Sequence, residues 1–289
     1  MADGTRDMAM SMAADGAEGQ PLVAELESVA LVCRRAIVDM VHKAGAGHPG
    51  GSLSAIDMLV ALYGTRLRVR PQEPDWPDRD RFIMSKGHAS PGMYSILAHS
   101  GFFEVEELDS FRKLGSICQG HVDSGWTPGV DFSAGSLGMG LSFGIGCALA
   151  ARLDASKRTI FVMLGDGELQ EGQVWEAAMA AAHHEVNNLK VFVDRNRIQN
   201  DDFVDKQMRM FDVPAKWAAF GWAVREIDGH DMGEILGSIE WLDSVDAGPA
   251  VVIAHTVKGK GVSFMEDNPS FHGAAPSDEQ LEQAMEELQ

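Results

Sequence analysis

The sequence has few of the features that mark a secreted, membrane-bound or nucleic-acid-binding protein. Its 289 residues include only three cysteines, and their spacing suits neither a disulfide framework nor a zinc site, which favours a reducing cytoplasm. No apolar run approaches the roughly 18 residues that a membrane span needs. Basic residues are also scarce: 24 Lys and Arg stand against 43 Asp and Glu, a formal net charge of −19. This balance argues against nucleic acid or an anionic membrane as a partner.

The amino-terminal segment lacks the basic stretch and the apolar stretch of a signal peptide. Residues 1–20 are rich in Met, Ala, Gly and Asp, and we predict that they form a disordered tail. No linker is evident between residues 21 and 289, so we assign that whole segment to one domain. The apolar content of 45% is sufficient for a full hydrophobic core.

Strand-like and helix-like patterns alternate along much of the chain. The patterns predict strands at Arg81–Met84, Thr159–Leu164, Leu189–Asp194, Trp222–Ile227 and Ala250–Thr256. They predict helices at Leu22–Lys43, Ser54–Leu62, Pro91–His99, Val105–Lys113, Gly138–Leu153, Glu171–His184, Pro214–Phe220, Met232–Leu242 and Ser277–Gln289. This alternation indicates an α/β fold, in which a mostly parallel sheet is covered by helices on both faces.

The most informative segment lies between residues 159 and 196. An apolar strand ends there in Gly165-Asp166-Gly167, and the next apolar strand is followed by Asn196. The glycines permit close approach of the backbone to a ligand, and the carboxyl ends of parallel strands are where such sheets bind ligands. A carboxylate and an amide at neighbouring strand ends are suitable oxygen ligands for Mg²⁺, which commonly accompanies a diphosphate.

Four histidines occur beside glycines in predicted loops. They are Gly47-His48, Gly87-His88, Gly120-His121 and His272-Gly273. A single histidine is more often a surface residue or a satisfied core residue, but the repetition of this context favours a ligand site. Imidazole titrates near neutral pH and can move protons on sugar hydroxyls. The other histidines lack this context and are interpreted as structural or surface residues: His42, His99, His183, His184, His230 and His255.

Both the content of these motifs and their order along the chain resemble the diphosphate-binding half of transketolases. The similarity extends from about residue 22 to 275 and includes the motif segments 41–50, 85–90, 120–121, 134–138, 165–172 and 194–198. The resemblance implies the thiamine diphosphate-binding fold, thiamine diphosphate and Mg²⁺ as cofactors, and a role in carbohydrate metabolism such as the pentose phosphate pathway.

The resemblance also implies a role for each matching residue. Mg²⁺ would be held by Asp166, the amide of Asn196 and the carbonyl of Ile198. The diphosphate would contact His88, the backbone of Gly167 and His272, and the last of these is also a catalytic candidate. The aminopyrimidine ring would lie against Gly135, Ser136 and Leu137, while His48 and His121 would face the sugar as catalytic residues.

Two glutamates after the Gly-Asp-Gly motif are interpreted separately. An acid at this position commonly just stabilises a helix amino terminus, and this is the interpretation preferred for Glu168, which is also kept as a cofactor-binding candidate. Glu171 matches a transketolase position that pairs, across a subunit boundary, with the glutamate that activates the aminopyrimidine. The resemblance therefore implies a catalytic role for Glu171.

No candidate for the activating glutamate itself occurs in this sequence, since only a short acidic segment follows Gly273. The resemblance thus implies the amino-terminal subunit of a split transketolase, completed by a carboxyl-terminal subunit, with two copies of each chain and sugar phosphate substrates. Two other functions remain open. One is the α subunit of a 2-oxoacid dehydrogenase, for which the Gly-His loops have no explanation, and the other is a cofactor-binding subunit without catalytic activity.

Overall fold

The computed structural model describes residues 19–200 and 202–289. Of the predicted tail, residues 1–18 lie outside the described part, whereas Gly19 and Gln20 already belong to the first helix. The assignment of residues 21–289 to one domain stays a prediction.

The described residues form helices α1–α9 and strands β1–β7. The helices are α1 Gly19–Ala44, α2 Pro49–Ala61, α3 Ser90–His99, α4 Met139–Leu153, α5 Gly172–His183, α6 Val204–Gln207, α7 Val213–Ala219, α8 Met232–Ser244 and α9 Asp278–Glu287. The strands are β1 Arg81–Met84, β2 Ile160–Gly165, β3 Leu189–Arg195, β4 Ile198–Gln199, β5 Asp202–Phe203, β6 Ala223–Asp228 and β7 Ala250–His255. Short 3₁₀ turns occupy Gly87–Ala89, Val105–Ser110, Gly167–Gln170 and Pro269–Phe271.

Within the described residues, five strands form one sheet in the order β1-β2-β3-β7-β6. All four neighbouring pairs are parallel, and β4 and β5 make a separate antiparallel hairpin. Strand β2 is buried along its whole length, as expected for a central strand covered on both faces. The predicted parallel α/β sheet is therefore confirmed.

Two hydrophobic layers, one on each face of the sheet, account for the apolar strands. Phe161 and Met163 of β2 pack into the layer that contains α1, α2, α3 and α8. Val162 and Leu164 point to the opposite layer, which contains α4, α5 and α7. Successive side chains of a strand point to opposite faces, so each residue of the apolar run enters one core or the other. This two-sided burial also confirms the prediction of helices on both faces.

Two predicted helices differ from those observed. The segment predicted as a helix from Val105 to Lys113 is a 3₁₀ turn that ends at Ser110, because Phe111 has a non-helical ψ of 128° and Arg112 has a φ of +62°. Helix α2 begins at Pro49, five residues before the predicted Ser54. Proline is well accommodated in the first turn of a helix, so the motif after His48 starts the helix and does not form a loop.

Helix α4 packs so closely on the sheet that one of its glycines has no room for a side chain. A Cβ atom on Gly144 would lie 2.7 Å from Cγ2 of Val162 on β2. A Cβ atom on Gly146, two residues further along the same helix, would have no atom of another structural element within 4 Å.

Among the described residues, no helix is both long enough and apolar enough to cross a bilayer.

Gly144→Ala is expected to lower the free energy of unfolding by about 1–3 kcal/mol, because α4 and β2 must move apart to admit the methyl group. Gly146→Ala is the matched control and should leave stability unchanged or raise it by up to about 1 kcal/mol, since alanine is the better helix former. Urea unfolding of the isolated chain measures both values. Equal stabilities for the two variants would contradict the close packing of α4.

Candidate active site at the carboxyl edge of the sheet

Asp166 and Asn196 lie at the carboxyl ends of the adjacent strands β2 and β3, as the sequence predicts. The register pairs Gly165 with Asp194, which places the two loops side by side. The Asp166 carboxylate accepts hydrogen bonds from the backbone N–H of Gly167 at 2.8 Å and from that of Arg197 at 2.5 Å. The loop that carries Asn196 is thus attached directly to the carboxylate of Asp166.

The amide of Asn196 has a fixed orientation. Its Nδ2 atom donates to Oδ2 of Asp194 at 3.1 Å and to the hydroxyl of Ser54 at 3.3 Å. Its Oδ1 atom therefore points away from Asp194, and its hydrogen bond from the backbone N–H of Ile198 is 3.2 Å long. The amide oxygen keeps a lone pair, as a metal ligand must.

Asp194 is fully buried and is the centre of a hydrogen-bond network. Its carboxylate forms an ion pair with Lys86 and accepts hydrogen bonds from Ser54 and Thr256, in addition to the amide of Asn196. Burial alone would raise the pKa of Asp194, but the adjacent Lys86 ammonium and these hydroxyl groups hold it below its ordinary value. Lys86 is itself buried and also donates to the carbonyl of Gly51 at 2.9 Å.

A second buried lysine, Lys258, contacts the same site. Its ammonium donates to the carbonyl of Ile198 at 3.2 Å and lies 2.6 Å from Nδ1 of His272. Because an ammonium can only donate, Nδ1 of His272 accepts that hydrogen bond. Burial and the neighbouring Lys86 lower the pKa of Lys258 to about 8, so this group is a cation held in a dry environment near neutral pH.

The donor atoms at this edge suit a divalent cation. Burial and the nearby Asp194 raise the pKa of Asp166 to about 7, because a second carboxylate charge in this place is not fully compensated by the protein. A hard cation would compensate it, and Asp166, Asn196 and the Ile198 carbonyl offer the oxygen ligands that Mg²⁺ prefers. Among the described residues there is no cluster of three or more His, Cys, Asp or Glu side chains that could hold a metal. The proposed ligand set does not require such a cluster, because Asp166 is its only residue of these four types.

The four histidines of the Gly-His loops come together in one cluster. His48 is central, with its ring centroid 5.4 Å from His88, 5.6 Å from His121 and 5.2 Å from His272. Mainly because of burial, the pKa of His48 is lowered to about 4 and the pKa of His272 to about 3. Burial and the Lys86 charge lower the pKa of His88 well below its usual value. The cluster is therefore uncharged at neutral pH.

One ring nitrogen of His48 makes no hydrogen bond within the described residues. The residue is the amino-terminal cap of α2, and its backbone carbonyl accepts a hydrogen bond from Ser52. Its Nδ1 atom is buried without a hydrogen-bond partner in the described part of the chain. Such an atom costs free energy unless a ligand or water satisfies it, so it indicates where a polar ligand would bind.

Glu168 lies inside the wall of the site. Its carboxylate accepts hydrogen bonds from the hydroxyl of Ser85, from the backbone N–H of Gly138 at 2.8 Å and from that of Gly165 at 3.0 Å. Burial raises its pKa despite these donors. Glu168 therefore joins the end of β1, the start of α4 and the end of β2, and a direct cofactor contact for it stays a prediction.

Glu171 and the loop of Gly135, Ser136 and Leu137 lie on either side of the start of α4. Gly135, Ser136 and Glu171 are exposed and Leu137 is half-buried, and the Cβ of Glu171 is 2.8 Å from where a Cβ on Gly138 would lie. Helix α4 starts at this point, and three of its apolar side chains are exposed: Met139, Phe143 and Leu153. These three side chains are defined here as the α4 surface, which begins beside Glu171.

Sequence reasoning missed the buried charges that organise the site. Lys86, Asp194 and Lys258 are all buried, and the first two lie within motif segments that the sequence pattern does identify. A signal was present, because Lys86 and Asp194 lie at the carboxyl ends of apolar strands, where charged residues are seldom fully buried unless they are paired. Lys258 has no such signal, since its position depends on a long loop after β7.

This geometry defines a class of protein: an α/β protein that binds a ligand where parallel strands end, with oxygen donors for a cation and neutral imidazoles nearby. The chain belongs to the transketolase family, and it matches the thiamine diphosphate binding domain over residues 27–289. The resemblance seen in the motifs is therefore confirmed.

The relatives are of two lengths. The chain is 39% identical to the 6-deoxy-6-sulfo-D-fructose transketolase subunit of Clostridium sp. strain MSTE9, covering 92% of this chain and 96% of that protein. It is 41% identical to an apulose-4-phosphate transketolase subunit of Phocaeicola vulgatus, covering 88% and 90%. The crystal structure of transketolase from Campylobacter jejuni superimposes with a TM-score of 0.86 at 34% identity, and the match covers 92% of this chain but only 43% of that one.

His48→Asn is expected to reduce the loss of stability on acidification. The folded chain keeps His48 neutral down to about pH 4, whereas the unfolded chain protonates it near pH 6.5. Between these two values the unfolded state binds more protons, so the free energy of unfolding falls as the pH falls. In His48→Asn, the fall in the free energy of unfolding on going to pH 4 should therefore be smaller than in the wild type by about 1–3 kcal/mol.

Urea unfolding at about pH 7 and about pH 4 measures this effect. His183→Asn, an exposed substitution on α5, serves as the control and should follow the wild-type pH dependence. The same fall in stability for His48→Asn as for the wild type would show that His48 is not held neutral in the folded chain.

Proposed function

We propose that this chain is the diphosphate-binding subunit of a two-subunit transketolase that uses thiamine diphosphate and Mg²⁺ to transfer a two-carbon ketol unit between sugars. The observation that carries the proposal is that two sets of residues lie together at the carboxyl ends of the parallel strands. One group consists of the oxygen donors of Asp166, Asn196 and Ile198, and the other is the neutral cluster of His48, His88, His121 and His272. The first suits a metal diphosphate and the second suits a polyhydroxylated substrate.

The metal and diphosphate would be held by residues of this chain alone. Asp166, the amide oxygen of Asn196 and the carbonyl of Ile198 would ligate Mg²⁺, and the raised pKa of Asp166 reflects the charge that the cation would compensate. The backbone of Gly167 and the imidazoles of His88 and His272 would contact the diphosphate. Lys258, whose ammonium is in hydrogen-bond contact with both His272 and the Ile198 carbonyl, is positioned to add a positive charge.

When bound, thiamine diphosphate supplies the carbon nucleophile and the electron sink of ketol transfer. The part of this chain is to orient substrate and to move protons. A neutral imidazole both donates and accepts hydrogen bonds, so His48 and His121 would hold sugar hydroxyls and transfer their protons. The loop of Gly135, Ser136 and Leu137 would lie beside the aminopyrimidine ring.

The partner would approach the site beside the start of α4. Glu171 is exposed there and would pair with an activating glutamate from a carboxyl-terminal transketolase subunit. The α4 surface, with Met139, Phe143 and Leu153 exposed, is apolar enough to be part of such an interface. We further propose two copies of each chain, because closed two-fold symmetry is the commonest arrangement, and a cytoplasmic location.

The donor would be a ketose that carries an anionic group. The names of two similar proteins specify a sulfonated fructose and apulose 4-phosphate, and the family implies sugar phosphates in general. With a formal net charge of −19, this chain does not attract anions by its overall field. Local cations or the partner subunit must therefore bind the anionic end of the sugar.

Asp166→Ala should abolish Mg²⁺-dependent binding of thiamine diphosphate, because the variant lacks the only carboxylate ligand proposed for the metal. Titration calorimetry with and without Mg²⁺ measures the affinity, and circular dichroism verifies the fold. Asp154→Ala, which removes an exposed carboxylate at the end of α4, is the matched control and should bind normally. Unchanged affinity in Asp166→Ala would refute the metal assignment.

The isolated chain should not turn over any ketose, because it lacks the activating acid, and addition of the complementary subunit should restore ketol transfer. The assay measures transfer of the two-carbon unit from xylulose 5-phosphate, apulose 4-phosphate or 6-deoxy-6-sulfofructose to an aldose acceptor. Mass spectrometry of the native assembly should find two copies of each chain. Robust transfer by the isolated chain, with no partner detected, would refute the two-subunit proposal.

Substitutions of the sugar-facing histidines separate catalysis from cofactor binding in the same assay. His48→Ala and His121→Ala, with the partner present, should bind thiamine diphosphate nearly as the wild type does but lose turnover by roughly 10²-fold or more. Weak cofactor binding with full turnover at saturating cofactor would reverse these roles. A complex that binds cofactor but transfers no ketol unit from any donor would instead indicate a non-catalytic subunit.

A further inference from the structure

A buried carboxylate outside the site already described connects three separate parts of the fold. Asp57 of α2 is 5% exposed and accepts two hydrogen bonds from Arg34 of α1, at 2.9 and 2.6 Å. Its Oδ2 atom also lies 2.8 Å from Nδ1 of His230, in the loop between β6 and α8. Burial would raise the pKa of Asp57, but the hydrogen bonds from His230 and Arg34 hold it below its ordinary value. No motif in the sequence identifies these residues.

Both partners of Asp57 also hold the loop that follows β7, defined here as the Lys258 loop, residues 256–261. The backbone N–H of Val257 donates to Nε2 of His230 at 2.8 Å, and Nε of Arg34 donates to the carbonyl of Lys260 at 3.3 Å. These contacts lie on either side of Lys258. A single carboxylate therefore holds two side chains that fix the two halves of one loop.

The hydrogen bonds determine the tautomer of His230. Because the N–H of Val257 is a donor, Nε2 must accept and carries no proton. Nδ1 then carries the proton and donates it to Asp57. A side chain with one donor and one acceptor in this order is required here. An apolar side chain of similar size would leave the N–H of Val257 without its acceptor and Asp57 with only the two hydrogen bonds from Arg34.

The Lys258 loop carries a side chain that reaches the candidate active site. Lys258 is 2% exposed, and its ammonium contacts the carbonyl of Ile198 and the ring of His272. A charged side chain on a flexible four-carbon stem keeps such a position only if its backbone is fixed. The backbone N–H of Gly259 also donates to the carbonyl of Gly50 at 3.0 Å, which attaches the same loop to the amino terminus of α2.

We propose that Asp57, acting through His230 and Arg34, positions the Lys258 loop and thereby places the Lys258 ammonium for the diphosphate of the cofactor. His230 and Asp57 are positioning residues in this proposal, since neither touches the site itself. The ligand part of the inference rests on the proposed function, whereas the control of the loop by His230 does not.

Hydrogen–deuterium exchange of the full chain without cofactor tests the loop directly. His230→Leu should accelerate exchange in the segment 256–261 by about tenfold or more, because Val257 loses its acceptor. His230→Gln should retain most of the protection, since its amide can still donate to Asp57 and accept from Val257. Glu234→Gln is the control: Glu234 accepts from the backbone N–H of Asp228 but has no contact with Val257, so exchange in 256–261 should not change.

Two results would overturn the positioning role. Exchange in the segment 256–261 that is equal in His230→Leu and the wild type would show that the loop does not depend on His230. Exchange as fast in His230→Gln as in His230→Leu would show that the hydrogen-bond pattern is not the cause. Should His230→Leu fail to fold, as judged by circular dichroism, His230→Asn replaces it, because its shorter amide can reach only one of the two partners.

A double-mutant cycle tests the connection to the cofactor. Affinity for thiamine diphosphate with Mg²⁺, measured by calorimetry with the complementary subunit present, should fall by about tenfold in Lys258→Met and less in His230→Leu. The double variant should be no weaker than Lys258→Met within about twofold, because His230 acts through Lys258. Additive losses would contradict that route. No binding by the wild type would refute the proposed function, and the exchange experiment would still decide the role of His230.

Discussion

The buried ion pair of Lys86 and Asp194 is the interaction on which the candidate site depends. A buried charge pair is tolerated only when its remaining hydrogen-bonding capacity is satisfied, and Asp194 meets this condition through Ser54, Thr256 and Asn196. These partners come from α2, from the end of β7 and from the loop after β3. One carboxylate therefore sets the relative positions of the segments that carry every proposed metal ligand except Asp166.

The charges of the site follow a common physical pattern. Two carboxylates, Asp166 and Asp194, lie near two ammonium groups, Lys86 and Lys258, in a region that is closed to solvent. The pKa of Asp166 is raised and that of Lys258 is lowered, mainly because burial disfavours both charges. A metal diphosphate would bring a cation beside Asp166 and an anion beside Lys258. The two parts of the cofactor would thus complement the two uncompensated charges.

The sequence predicts the sheet well because buried parallel strands leave a strong local signal. All five predicted strands are found, each within two residues at either end, and the Gly-His loops meet where the strand ends predict a site. The segment after residue 104 is predicted less well. Arg112 has a positive φ there, and an arginine in the sequence does not predict that backbone conformation. The networks around Asp194 and Asp57 could not be predicted, because they join residues up to 226 positions apart.

The neutrality of the four-histidine cluster has a further consequence for the hydrogen bonds that it can offer. Each uncharged imidazole holds one proton on either of two nitrogens, so the cluster can exist in several arrangements that have the same net charge. Within the described residues, His272 is the restricted member, because Lys258 requires its Nδ1 as an acceptor. In the same part of the chain the other three rings are free of such a requirement, so each can present a donor or an acceptor to a ligand by its choice of tautomer and without carrying a charge.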